Sequence, residues 1–213
     1  MVDQTIKIPW LALCTVTLCA FAAGIGVSLW RAGATPQVEG LLWPDPPVLT
    51  RLALTDQHGA AFDLARLRGK WSLLFFGFTH CPDVCPTTLD VMARAARELA
   101  THPAYAAHGQ LVFVSVDPAR DTRAVLGRYV DYFDARMIGA TGDEAELKAL
   151  TRALGALYMR VEQAGAQYTV DHSAGIFFLD PKLRLLSVMT PPHVVADVVT
   201  RFDALVAFAA AGN

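Results

Sequence analysis

The cysteines of His80-Cys81-Pro82-Asp83-Val84-Cys85-Pro86 are separated by three residues, and each is followed by proline. This spacing suits a local disulfide, whose Cα atoms lie within about 7 Å, or two sulfurs converging on one ion. A permanent disulfide or two buried thiols fit it equally. A residue before proline is driven away from the αR region, so the pair is expected in a loop. Pro86 suits the first turn of a following helix. Cys85 would then lie at or beside the N-cap, where free N–H groups and the helix dipole favour thiolate, so Cys85 is expected to ionise more readily than Cys81.

The chain holds four cysteines, too few for a disulfide scaffold, and the other two, Cys14 and Cys19, lie in an uncharged apolar run. No second pair completes a four-sulfur zinc site, so a third ligand would be histidine, carboxylate or water. His80 adjoins Cys81, but neighbouring side chains in an extended segment diverge. His172, in Val170-Asp171-His172-Ser173-Ala174-Gly175, is the better candidate. It precedes an apolar run and is expected in a connecting loop, where a surface or capping role is the alternative. His58, His102, His108 and His193 read as turn or helix-end residues.

The elements that would position these groups follow from hydrophobic patterning. Ser72-Leu73-Leu74-Phe75-Phe76-Gly77-Phe78 and Leu111-Val112-Phe113-Val114-Ser115-Val116 are near-continuous apolar runs, the mark of strands buried on both faces of a parallel sheet, and residues 175–179 read as a third. Leu89, Met92, Ala96 and Leu99 share one helical face, as do Leu126, Tyr129, Val130 and Phe133. Leu147, Leu150 and Leu154 mark another helix, residues 183–188 a strand, and Val195, Val198, Phe202, Leu205 and Ala209 a closing amphipathic helix. Asp56-Gln57-His58-Gly59 reads as the turn of a short hairpin. Alternating strands and helices imply a layered α/β domain, and the cysteine segment lies beyond the carboxyl end of a buried strand, where reactive groups of such sheets collect.

Of the 213 residues, 54% are hydrophobic and 18% charged, too apolar for a disordered chain. The formal charge of -2 advertises no basic face and argues against a nucleic-acid partner. Residues 8–30 carry no charge and as a helix would reach roughly 34 Å, enough to cross a membrane. Trp10 and Trp30 suit its interfaces, and Lys7 and Arg31 bracket it. Cleavage after the small-x-small triplet Ala20-Phe21-Ala22 is the rival reading. Leu13 and Leu18 precede Cys14 and Cys19 where a lipoprotein site needs a small residue, so both cysteines are expected to pack inside the span. Flanking charges do not settle orientation. The short leader favours a bacterial membrane over an organelle. The expected organisation is a flank at 1–7, a transmembrane anchor at 8–30, a Pro-rich tether at 31–50 and one domain at 51–213.

Three segments together resemble the Sco/SenC family: Phe76-Gly77-Phe78-Thr79-His80-Cys81-Pro82-Asp83-Val84-Cys85-Pro86, Val112-Phe113-Val114-Ser115-Val116-Asp117-Pro118-Ala119-Arg120-Asp121-Thr122 and Val170-Asp171-His172-Ser173. These are membrane-tethered, thioredoxin-like proteins that bind copper and assist assembly of the copper centre of cytochrome c oxidase. The resemblance runs from about Leu52 to the C-terminus. It implies copper ligation by Cys81, Cys85 and His172. It also implies a domain facing the periplasm or exterior from the bacterial inner membrane, with the copper-bearing oxidase subunit as partner. Two thiolates suit soft Cu(I), and an imidazole lets the site tolerate Cu(II). Asp171 is expected to hold the imidazole or to serve as a loop carboxylate. Asp117 and Asp121 would shape the local field, with capping of the next helix the alternative for Asp121. The leading function is a metallochaperone. The alternative is a thiol-disulfide oxidoreductase, with Cys81 or Cys85 attacking a mixed-disulfide partner to keep the oxidase subunit's cysteines reduced. An upstream copper donor or thiol reductant would serve either role, and a copper or redox sensor is a third class.

Overall fold

The computed structural model describes residues 16–26, 40–42, 44–164 and 168–211. Residues 1–37 and 38–213 are separate units. In the first, residues 16–26 form a helix, α1, with exposed apolar side chains at Val16, Leu18, Phe21 and Ile25. Among the described residues no helix is long and apolar enough to cross a membrane. The rest of the 8–30 stretch, Cys14, the 1–7 flank and residues 31–39 lie outside the described residues.

In the second unit a hairpin opens the domain, β1 (Ala53–Asp56) against β2 (Ala61–Asp63), followed by the short helix α2 (Leu64–Leu67). Asp56 Oδ1 closes the turn by accepting from the backbone N–H groups of His58 and Ala60, each at 2.9 Å. The chain continues through β3 (Trp71–Gly77), α3 (Val84–Leu99), α4 (Pro103–His108) and β4 (Gly109–Ser115). Next come α5 (Arg123–Phe133), β5 (Ile138–Thr141) and α6 (Glu144–Leu154). It ends with β6 (Tyr158–Glu162), β7 (Tyr168–His172), β8 (Ile176–Leu179), β9 (Leu185–Met189) and α7 (Val195–Ala210). Seven strands form one sheet in the order β2-β1-β5-β4-β3-β8-β9, while β6 and β7 form a separate pair.

β3, β4 and β5 are parallel, as their unbroken apolar runs and intervening helices imply. The 175–179 run, expected to join them in parallel, instead forms β8 antiparallel to β3, with Phe75 opposite Ile176 and Ser72 opposite Leu179. Burial on both faces selects an apolar strand whichever way it runs. Leu73 and Phe75 of β3 and Leu111 and Phe113 of β4 point to one face, into a core shared with α3, α5 and α7. Leu74, Phe76, Val112 and Val114 point to the other, against Phe62 and the Leu147, Leu150 and Leu154 face of α6. Each fully buried side chain of this size is worth about 1.5–3 kcal/mol. Together the two layers fix the end of β3 where the cysteine segment begins.

Part of the stretch read as a tether lies on the domain. Leu42 N–H donates to Leu186 O (2.8 Å), Leu49 N–H to Leu183 O (2.9 Å) and Leu185 N–H to Pro47 O (2.8 Å), so residues 41–42 and 47–49 cover the outer edge of β9. The β6–β7 hairpin was not foreseen. Its β6 strand, Tyr-Met-Arg-Val-Glu, is mostly exposed and gives no apolar alternation to read.

Candidate metal centre

β3 ends at Gly77, and the following turn is closed by Cys81 N–H donating to Phe78 O at 3.2 Å. Cys81 is half-buried in this loop. Cys85, expected in the loop as well, is instead the second residue of α3, after the N-cap Asp83. Pro86 therefore occupies the third helical position, where its missing N–H removes only a donor that has no partner within the helix. Gly77 permits the approach of helix to strand: a Cβ there would lie 2.7 Å from Cys85 Sγ and 2.8 Å from Phe113 Cε2.

Both cysteines are free thiols, and their ionisation is the reverse of that expected from the helix terminus. The Cys85 thiol hydrogen-bonds to Cys81, and with the backbone N–H groups of Asp83 and Cys85 it favours the thiolate against the pull of burial, so Cys81 is held well below the ordinary thiol range, at about 4. Cys85 is pushed up, by donating to Cys81 and by complete burial. The bond to Cys81, which needs the Cys85 proton, and then the desolvation of an enclosed sulfur outweigh a dipole felt over one turn.

His172 is the last residue of β7, paired with Tyr158, and so belongs to a strand rather than to the expected connecting loop. Its ring packs at near right angles to those of Phe75 (5.8 Å between centroids, 84°) and Phe78 (6.0 Å, 85°). Nδ1 lies 3.1 Å from Ser173 O, and a carbonyl only accepts, so Nδ1 carries the proton and Nε2 presents its lone pair. Nε2 stands 3.2 Å from Cys85 Sγ. Ser173 is pinned to Leu157: its N–H donates to Leu157 O (2.8 Å) and its Oγ accepts from Leu157 N–H (2.9 Å). The orienting group is thus the Ser173 carbonyl and not Asp171, which is exposed opposite Met159.

The carboxylates expected to shape the field are buried and bind structure together. Asp121 accepts from Thr79 N–H (2.9 Å), Thr79 Oγ1 (2.6 Å) and Ser115 Oγ (2.5 Å), joining the cysteine loop to the end of β4. Capping of α5 falls to Thr122, not Asp121. Asp117 accepts from Tyr168 Oη at 2.8 Å and pairs with Arg120. His80 is largely exposed and hydrogen-bonds Thr79 Oγ1 at 3.1 Å, apart from the sulfurs' cluster. His193 lies just before α7, the helix-end setting expected of it, half-buried, with Nε2 donating to Ala174 O at 2.8 Å; burial lowers its pKa.

Among the described residues, one group of three or more His, Cys, Asp or Glu side chains converges as ligands would: Cys81, Cys85 and His172, with all ligand atoms within 4.8 Å of one another. Bonds of about 2.0–2.3 Å, as zinc makes to nitrogen and sulfur, put neighbouring ligands roughly 3.5–4.0 Å apart. The dimensions therefore fit one ion. The donors, two sulfurs and one imidazole nitrogen, suit copper in either oxidation state. The three side chains singled out in the sequence are the ones the fold brings together, whereas the parts played by Gly77 and Ser173 went unread. Only Gly77, a glycine inside an apolar strand, carried a readable signal of close approach.

Residues 45–207 match the family model described as SCO1/SenC. A protein of Stutzerimonas stutzeri, named for a proposed copper-binding role, is 39% identical over 152 residues, covering 71% of this chain and 73% of its own. The mitochondrial SCO2 homolog of Bos taurus is 39% identical over 130 residues, covering 61% of this chain, which spans about half (48%) of that relative's length. The crystal structure of Arabidopsis thaliana ScoI with copper bound superposes with a TM-score of 0.69 at 31% identity, covering 75% of this chain and 99% of that one. The likeness extends across the domain, so the fold is the mixed α/β, thioredoxin-like fold of that structure.

Proposed function

Since the chain belongs to the SCO1/SenC family, we propose that it carries copper on Cys81 Sγ, Cys85 Sγ and His172 Nε2 and hands the ion to the copper-bearing subunit of cytochrome c oxidase. The observation that carries this reading is the convergence of these three ligand atoms, with His172 fixed by Ser173 in the tautomer that ligates. The ion is cargo, and a half-exposed Cys81 beside a buried Cys85 suits loading and release from one side. Cys81 enters as thiolate, and Cys85 gives up its proton as copper replaces the hydrogen bond between the two sulfurs. The oxidase subunit as recipient follows from the family resemblance, as does an upstream copper donor.

The uncharged 8–30 stretch supports an anchor in the bacterial inner membrane with the domain on the periplasmic or outer side. A second reading is favoured by the split between the two thiols. A Cys81 thiolate attacks a partner's disulfide, and Cys85, once deprotonated, displaces the partner from the mixed disulfide. The partner leaves with two thiols and Cys81–Cys85 ends oxidised, to be reset by a thiol reductant.

His172→Ala separates the readings, because imidazole serves the metal but not attack on a disulfide. The variant is expected to lose Cu(II) and its sulfur-to-copper charge-transfer band, to keep much of its Cu(I) binding, and to retain dithiol activity on a model disulfide. Failure of oxidase assembly in cells carrying this variant supports copper delivery. Normal assembly would put the reductase reading first, and a full Cu(II) site without His172 would remove it from the ligand set.

A further inference from the structure

The dithiol and the histidine reach the site on separate pieces of chain. Cys81 and Cys85 follow β3, while His172 ends a two-stranded hairpin that is no part of the main sheet. Something must hold that hairpin against the end of β3. Arg120 is placed to do so. Its backbone is fixed in the turn after β4, where its N–H donates to Asp117 O at 3.2 Å, and its side chain pairs with the Asp117 carboxylate. The guanidinium lies 3.7 Å from the centroid of Tyr168 at the start of β7 and 5.5 Å from that of Phe78. Nη1 donates to Tyr168 O at 2.9 Å, and the Tyr168 hydroxyl closes the loop onto Asp117 at 2.8 Å. Phe78 is also the residue whose carbonyl receives Cys81 N–H and whose ring flanks His172. One planar cation therefore touches the cysteine side of the site through Phe78 and the histidine side through Tyr168.

We propose that Arg120 is the positioning residue that sets His172 against the dithiol, acting through Tyr168 and Phe78 and not as a ligand. The proposal deepens the copper-carrying reading and rests on it. Arginine is required there because a planar guanidinium stacks on two rings while its remaining N–H groups serve Asp117 and the Tyr168 carbonyl; an ammonium does not combine these. Arg160 stacks on Tyr168 at 3.7 Å as well, but from an exposed position and paired with Glu162, so it is not expected to set the geometry.

The test uses the full chain in detergent, with Arg120→Lys, Tyr168→Leu and Arg160→Lys. In the copper-free protein, modification of His172 by diethyl pyrocarbonate, followed by mass spectrometry, reads how firmly the ring is held. Arg120→Lys and Tyr168→Leu are expected to speed it several-fold, with Arg160→Lys unchanged. On adding copper, Arg120→Lys is expected to bind Cu(II) about 10–100-fold more weakly, the usual cost of losing an orienting partner of a metal ligand, with a weakened charge-transfer band. Cu(I) binding and the thiol titre should remain near those of the parent. An unaltered His172 rate with a full charge-transfer band in Arg120→Lys overturns the proposal. Parallel loss of Cu(I), Cu(II) and thermal stability also overturns it, marking Arg120 as structural only. If Arg120→Lys does not fold, Tyr168→Leu decides by the same two readouts. If the parent chain binds no copper, the copper-carrying reading fails, while the His172 rates still decide what Arg120 holds.

Discussion

Replacing Gly77 by alanine would set a methyl carbon 2.7 Å from Cys85 Sγ and 2.8 Å from Phe113 Cε2. Ordinary non-bonded contact begins at about 3.5–4.0 Å, so roughly 1 Å of clearance has to open on two sides at once. Neither neighbour has free space to move into, since Cys85 and Phe113 are both fully buried. Overpacking of this kind costs about 1–3 kcal/mol. For a domain of this size that lowers the melting temperature by about 2–12 °C. The relief expected is a shift of the first turn of α3 away from β3, which carries Cys85 Sγ off its 3.2 Å approach to His172 Nε2. Copper affinity should therefore fall by about 10–100-fold, as for other residues that support a ligand. The assay pairs thermal melting with copper competition, and takes Gly127→Ala as its control. Gly127 lies inside α5, its added carbon would meet only Gln57 at 3.7 Å, and alanine there should stabilise by up to about 1 kcal/mol. A Gly77→Ala protein that melts with the parent and binds copper as tightly would refute the claim that this glycine admits Cys85 to the site.

Because the Cys81 thiol is held near 4, its thiolate persists above that pH and is lost as pH falls through it. Alkylation of Cys81 should thus stay on its plateau from neutral pH to about 5, and Cys85→Ala, which removes the principal hydrogen bond, should move the midpoint upward; a parent midpoint in the ordinary thiol range would contradict this. Oxidation to a Cys81–Cys85 disulfide should abolish copper binding and reduction restore it, measured as bound metal against thiol titre, since the proposed ligands are the two thiolates. A reporter fused after Asn213 should be active only when exported, and the chain should stay with membranes through a carbonate wash; release after shortening by about 22 residues would mean cleavage at Ala20-Phe21-Ala22 instead of an anchor.

The parallel core was legible because β3 and β4 are apolar without interruption and helices with clear faces separate them. The direction of β8 was not, since a strand buried on both faces looks the same either way. β6 and β7 escaped notice because their residues are largely exposed or only partly buried, and His172 was accordingly placed in a loop. At the site, residue type and motif sufficed to pick out the three side chains that converge. The ionisation order did not follow, because a sequence reveals that Cys85 stands near a helix terminus but not that its thiol bonds to Cys81 or that it is wholly enclosed. Asp171 looked like the partner of His172 because a carboxylate is visible in a sequence, whereas the group that serves, the Ser173 carbonyl, belongs to the backbone. Arg120 stood in plain view beside Asp117 and Asp121, yet its role depends on two rings brought to it from β7 and from the end of β3.

Whether one copper ion sits between the two cysteines and His172 is decided most directly by X-ray absorption at the copper edge of the reduced, Cu(I)-loaded chain and its His172→Ala variant. The parent should give two sulfur scatterers and one nitrogen, matching Cys81, Cys85 and His172 Nε2, and the variant should lose the nitrogen alone. A shell without sulfur, or a nitrogen that survives in the variant, would contradict the assignment.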